Sequence, residues 1–174
     1  MLEQLLERVA LGDTEALGAL YGKTRGAVYG LALSILKSAH DAQDVTQDTF
    51  VKVWEAAGSY RSQGSPMAWI LTIARNLART RLRQSVRFKE LTEAEWEAIP
   101  AGASAVTAED RAVLQEALAI LGDAERQIVL LHASSGLKHR EIAALLEMPL
   151  PTVLSKYHRA LKKMRIQLEG EKSQ

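Results

Sequence analysis

No cysteine occurs among the 174 residues. That excludes disulfides, thiolate metal sites and a cysteine nucleophile, and fits the cytoplasm. No stretch approaches the ~20 uninterrupted apolar residues of a membrane-spanning helix, so no direct membrane insertion is expected. The start, MLEQLLERVALGD, is acidic and amphipathic. A secretory signal needs a basic start and an apolar run, and this stretch has neither. A phosphate-binding glycine loop and a nucleophile elbow are also missing. The four histidines are scattered. His139-Arg140-Glu141 has the His-x-Glu spacing of a zinc deaminase but no cysteine pair to complete it. His132 reads as core or interface rather than as a ligand. No enzyme, cofactor, metal or small-molecule substrate is therefore expected.

What is present is charge, strongly segregated. The formal net charge is only +1. Residues 1–64 carry six bases and eight acids; residues 65–89 carry six bases and no acid. Residues 90–125 carry nine acids against Arg111, and residues 136–168 carry seven bases against Glu141 and Glu147. Two basic blocks thus flank an acidic one. Local clusters rather than total charge set the attraction to a polyanion, so two separate nucleic-acid contacts are expected.

Apolar spacing throughout is helical, which makes the chain all-α. The first helix spans about Leu2 to Leu11, ended by Gly12, with Asp13 as N-cap of the next. The second runs from about Thr14 to Leu36, with Leu17, Leu20, Tyr21, Val28, Leu31, Ile35 and Leu36 as core candidates. Gly18, Gly22, Gly26 and Gly30 recur every four residues along it, which reads as close packing of another helix. Ser38 and Asp41 resemble a capping box opening a third helix to about Ala57. Its Val45, Phe50, Val53 and Trp54 mostly face inward. Asp41, Asp44 and Asp48 share one face, bordered by Gln43 and Gln47. That face reads either as a solvated acidic surface or as a docking surface for a basic partner.

Gly58 to Gly64 is a polar loop. Ser65 and Pro66 then start a fourth helix running to about Arg83. Arg75, Arg79 and Arg83 recur every four residues, with Thr72, Asn76 and Trp69 nearby. Charge for phosphates, a ring for stacking and an amide for base edges suit single-stranded nucleic acid. Trp69 reads alternatively as core. Periodicity then fades, and Pro100 to Ser104 mark a flexible acidic linker in which Phe88, Leu91, Trp96 and Ile99 could dock locally. A second helical domain starts near Thr107, with Thr107–Asp110 as a capping pattern. Val113, Leu114, Ala117, Leu118 and Leu121 make one helix. Asp123 caps the next, which carries Ile128 to Leu131 and is broken by Ser135 and Gly136.

Lys138 to Leu146 forms a short helix that stops because Met148 precedes Pro149. The last helix begins near Pro151, a favourable first-turn position. Val153, Tyr157 or Ala160, Leu161 and Met164 make its seam. Thr152, Ser155, Lys156, Arg159, Lys162 and Lys163 point outward. Two short helices joined by a tight turn, the second one basic, form a helix-turn-helix. Its second helix would enter a major groove, with Lys138 and Arg140 on the helix before it.

In this order, LYGKTRGAVYGLALSIL, DAQDVTQDTFVKVWE, SPMAWILTIARNLARTRLR and REIAALLEMPLPTVLSKYHRALKKMR resemble a bacterial RNA polymerase sigma factor of the extracytoplasmic-function group. The resemblance covers nearly the whole chain. It implies a sigma domain 2 over residues 1–87, a linker over 88–107 and a sigma domain 4 over 108–170. By this resemblance Asp44, Gln47, Asp48 and Phe50 would bind core RNA polymerase. Trp69, Arg75, Asn76, Arg79 and Arg83 would melt the minus-ten promoter element and hold a flipped base. Lys138, Arg140, Thr152, Ser155, Lys156 and Arg159 would contact the minus-thirty-five duplex. An anti-sigma factor would hold such a stress-response factor off in the cytoplasm, free or at the inner membrane face.

Some positions depart from that pattern. Thr80 stands where an aspartate is usual, and Glu147 and Pro151 where glycines are. Leu154 replaces a base and Lys156 an arginine. Lysine lacks arginine's bidentate fork, so these changes bear on promoter sequence. One rival is a helix-turn-helix regulator that acts without polymerase, as a dimer on a palindrome. It leaves the arginine block and the acidic stripe unexplained. The other is a sigma-like fold that has lost transcription activity.

Overall fold

A computed structural model of the chain describes residues 1–62, 64–84 and 116–171. The chain divides into two compact units, Met1–Pro100 and Ala101–Gln174. Every regular element among the described residues is helical. The expected linker over 88–107, with Phe88, Leu91, Trp96 and Ile99, lies outside the described residues, as do the Thr107–Asp110 cap, Val113 and Leu114.

In the first unit, α1 (Leu2–Ala10) ends at a turn where Gly12 takes φ +86°, a conformation that suits glycine. Asp13 then caps α2 (Thr14–Leu36), accepting from the Ala16 N–H at 3.0 Å and pairing with Arg8 at 2.6 Å. The Ala16 N–H and then Arg8 hold its carboxyl below the usual range. The α2 helix is the axis of the unit. Residues Val28 to Ser34 are buried without a break, because α1, α3 and α4 all pack on it. The buried hydroxyls of Thr24 and Ser34 are satisfied on the helix itself: Thr24 donates to Leu20 O at 2.8 Å and Ser34 to Leu31 O at 2.7 Å.

Helix α3 (Ala39–Ala56) starts at Ser38, whose Oγ accepts from the Asp41 N–H at 3.3 Å. The carboxylate of Asp41 is turned away to Arg81 instead of closing the capping box. One 3₁₀ turn (Ala57–Ser59) takes up the start of the expected polar loop. Helix α4 (Pro66–Gln84) follows, with Ser65 Oγ accepting from the Ala68 N–H at 3.4 Å. Leu33, Leu36, Ala42, Val45 and Ala78 form the shared core of α2, α3 and α4. Deleting a fully buried leucine such as Leu33 would cost about 2–5 kcal/mol.

Three expectations fail here. Tyr21 and Trp54, read as core, are each 37% exposed. Gly18 and Gly22 meet no neighbour: a Cβ built on either has nothing within 4 Å. The four-residue glycine spacing is therefore not a helix-packing groove along that stretch.

In the second unit, residues 116–119 are helical and lead to a turn at Gly122. Helix α5 (Asp123–Ser135) is opened by Gly122, not Asp123: the Gly122 N–H donates to Glu125 Oε2 at 3.2 Å. Arg126 reaches back, donating to Leu118 O at 3.1 Å and Leu121 O at 2.8 Å, so it satisfies carbonyls that the preceding helix leaves open. Gly136 at φ +65° ends α5.

Helix α6 (His139–Leu146) is one residue shorter than expected, with Lys138 as its N-cap. Its stop is set before the proline acts. Glu147 adopts φ +55°, and the Met148 N–H closes on Ala143 O at 2.9 Å. This is the left-handed helix ending that glycine usually occupies. Helix α7 (Leu150–Glu171) carries Pro151 in its first turn. Leu118, Leu121, Val129 and Ala160 form one core, rimmed by Leu130, Tyr157 and Met164. Leu137, Ile142 and Val153 are fully buried beside it. Leu161, expected in the seam, is 41% exposed.

Candidate nucleic-acid and protein-docking faces

At about 100° per residue, Trp69, Thr72, Asn76 and Arg83 fall along one side of α4, with Arg79 beside them and Arg75 at the edge. The opposite side holds Met67, Ile70, Leu71, Ala74 and Ala78, all buried. The packing of α4 on α2 and α3 therefore turns the first group outward. Thr72, Asn76 and Arg83 are exposed, while Trp69, Arg75 and Arg79 are half-buried. Trp69 is neither core nor free: Tyr60 meets it edge-on at 5.4 Å. Tyr60 in turn donates to Gly64 O at 3.0 Å, and Ser62 bonds to Glu3. The loop before α4 is thus tied to α1 and to the indole.

Arg81 does not belong with this group. Its guanidinium sits between Asp41 Oδ1 at 2.9 Å and Asp44 Oδ2 at 3.0 Å. The hydrogen bond to Asp41, foremost, raises its pKa further above the ordinary arginine value. The basic block is thereby one charge smaller as a nucleic-acid surface than the sequence suggested.

The same bridge divides the acidic stripe of α3. Asp41 and Asp44 are engaged by Arg81, and His40 lies 3.7 Å from Asp44. Asp48 is exposed, and no hydrogen bond or ion pair engages it among the described residues. Gln47 is exposed beside it. Phe50 is 6% exposed and packs edge-on against Tyr21 at 4.8 Å, so it supports the helix from beneath rather than offering a contact. The apolar groups this face does present are Val51, 56% exposed, and Trp54. Sequence reasoning missed both as contacts; their spacing of about one and two turns from Gln47 was the available signal.

On α7, Val153 and Ala160 point into the core. The side opposite carries Ser155, His158, Arg159 and Lys162, all exposed. His158 and Lys162 were not among the expected contacts. Thr152 and Lys156 are half-buried, and Lys138 and Arg140 are exposed at the start of α6. Lys163, read as free, reaches Glu125 Oε2 at 2.8 Å. That bond, foremost, lowers the pKa of the buried Glu125 carboxyl, against the desolvation that would raise it. None of these faces brings together three metal-ligating side chains among the described residues. No described helix is long and apolar enough to cross a membrane.

The two units coincide with two family patterns. Residues 20–88 match Sigma-70 region 2, and residues 111–164 match Sigma-70, region 4. The ECF RNA polymerase sigma factor SigK of Mycobacterium tuberculosis is 32% identical over 171 residues, covering 94% of this chain and 91% of the relative. SigK of Mycobacterium sp. (strain KMS) is 31% identical over 163 residues, covering 89% and 84%. Among solved structures, CnrH in complex with the cytosolic domain of CnrY superposes with a TM-score of 0.66 at 26% identity, covering 97% of each chain. Sigma factor RpoE of Bartonella quintana, in complex with the anti-sigma factor NepR, shares the fold at 24% identity and a TM-score of 0.65, covering 86% of this chain and 94% of its own. With both sigma regions matched in order and relatives covered almost end to end, the chain belongs to the extracytoplasmic-function family of RNA polymerase sigma factors, which are transcription initiation factors.

Proposed function

We propose that the three outward faces divide the work of a sigma factor among them. The observation that carries this is the alignment of Trp69, Asn76 and Arg83 on the side of α4 opposite its core, with Arg79 alongside. Such a strip holds one unpaired strand: the arginines take phosphates, the indole stacks and the amide reads a base edge. It would melt the minus-ten element and keep a base out of the stack, a step costing a few kcal/mol. Tyr60 and the Gly58 to Gly64 loop hold Trp69 in place for this.

The second face is on α3. Gln47 and Asp48, with Val51 and Trp54, would dock on core RNA polymerase, and Asp44 would do so through its shared bridge with Arg81. An apolar centre with a charged rim is how such interfaces are built. The third face is on α7. Ser155, His158, Arg159 and Lys162, flanked by Thr152, Lys156, Lys138 and Arg140, would lie in the major groove of the minus-thirty-five duplex. The protein acts in the cytoplasm, without catalysis of its own, and an anti-sigma factor restrains it. The partner seen on the related CnrH supports a protein cover, and Tyr21, Val51 and Trp54 give such a cover apolar surface to bury.

Two charge reversals test the division. Arg79→Glu should abolish promoter opening while leaving affinity for core polymerase within twofold. Asp48→Lys should weaken binding to core polymerase by tenfold or more. Normal opening by the first, or full affinity in the second, would remove the corresponding assignment.

A further inference from the structure

Three aromatic side chains meet where the helices of the second unit converge, one from each. His132 comes from α5, His139 from α6 and Tyr157 from α7. The two imidazoles stack at 4.6 Å with 19° between their planes. Tyr157 meets both edge-on, at 5.1 Å from His132 and 4.5 Å from His139. His132 Nδ1 lies 2.9 Å from Leu137 O. A carbonyl only accepts, so Nδ1 carries the proton and Nε2 of the neutral ring is bare. His139 Nε2 is buried without a hydrogen-bond partner.

We propose that His132, His139 and Tyr157 form an acid-sensitive clamp on the helix-turn-helix, closed while the His139 imidazole is neutral and released when it takes up a proton. Protonating His139 would bury an N–H with nothing to accept it, which is costly. Among the described residues no carboxylate pairs with His139. The groups acting on His139 are His132 from α5 and His158 from α7, both of which oppose a positive charge. On its own helix, Glu141 is committed to the Lys138 N–H at 2.8 Å, while Lys138 and Arg140 are bases. Burial, first, and these two histidines hold the His139 pKa below the usual histidine value. The unfolded chain therefore binds more protons than the folded one near and below pH ~6.5. Stability from the clamp is complete above that value and is lost as pH falls from it toward the lower folded value. The buried carboxylate of Glu125, whose folded pKa is lowered, acts in a lower window that begins near pH ~4.5, and does not mask the effect.

The test is urea unfolding of the full chain at pH 7.5, 6.5 and 5.5, followed by amide resonances of residues 123–171. The unfolding constant of that unit should rise roughly three- to tenfold from pH 7.5 to 5.5, up to one proton's worth of linkage. In His139→Phe, which keeps a ring in the stack, and in His139→Gln, which keeps only a polar group, the rise should shrink by half or more. A wild-type unit with no rise would overturn the clamp. So would a rise equal to wild type in either variant that folds.

Discussion

Arg81 places one guanidinium between Asp41 and Asp44, at 2.9 and 3.0 Å, and so fastens the basic helix of the first unit to the start of its acidic one. The proposed single-strand face and the proposed polymerase-docking face are thereby held in fixed register by a contact that serves neither directly. All three side chains are between a quarter and two-fifths exposed, which limits the strength of the bridge. Replacing Arg81 with methionine should cost a few tenths to about 1 kcal/mol. The loss should shrink as salt is raised, because exposed pairs are screened. Urea unfolding at low and high salt measures this. Arg83→Met on the exposed face should leave stability within about 0.5 kcal/mol.

The turn of the helix-turn-helix is strained at one residue. Glu147 sits at φ +55°, where a side chain costs about 1–2 kcal/mol that glycine avoids. Glu147→Gly should raise the stability of the second unit by about 0.5–1 kcal/mol, part of the gain being offset by the greater entropy of unfolded glycine. Gly136→Ala, at φ +65°, should lower it by about 1 kcal/mol. A chemical-denaturation midpoint for each variant checks both signs.

Glu125 is buried, accepts from the Gly122 N–H and receives Lys163 at 2.8 Å. Its carboxyl titrates below the usual range, with the Lys163 hydrogen bond as the main cause. A depressed folded pKa means the stabilisation is present above the unfolded value and lost as pH falls through the folded one. The second unit should therefore weaken below pH ~4.5. Glu125→Gln should be less stable at neutral pH by about 1–3 kcal/mol and should show a flatter acid limb. Thermal unfolding across pH 3 to 7 would show the two curves converging in acid.

Lys162 and Arg159 face outward from α7 and should contact phosphates or base edges in duplex DNA. Lys162→Ala should weaken binding to every duplex alike and reduce the salt slope by about 1, one counterion fewer being released. Ser155→Ala should instead alter preference among minus-thirty-five sequences. Fluorescence anisotropy over a salt series distinguishes the two.

How much of this was legible in the sequence follows from the range of each interaction. Asp13, Ser65, Pro66 and Gly136 signal helix ends through neighbours a few residues away, and the helix boundaries they imply hold to within a residue or two. The Arg81 bridge was not foreseen and Lys163 was read as pointing outward, because their partners lie 40, 37 and 38 positions away. No local pattern carries that information. Trp54 and Tyr21 were misplaced for another reason. Their apolarity was read as burial, whereas large aromatic groups on a helix flank are often part-exposed and mark a contact surface. The outward strip of α4 was legible because a helix with one buried side fixes the other by spacing alone. The imidazole stack was not, because it needs three helices to converge.

The most direct measurement is transcription by purified core RNA polymerase with this protein on a pool of random promoter fragments, reading both bound and initiated sequences. The account predicts initiation from a shared pair of elements, one read as duplex by α7 and one opened by α4, and loss of initiation without loss of polymerase binding in Arg79→Glu. Duplex binding with no association to core polymerase would contradict it and leave a helix-turn-helix regulator in its place.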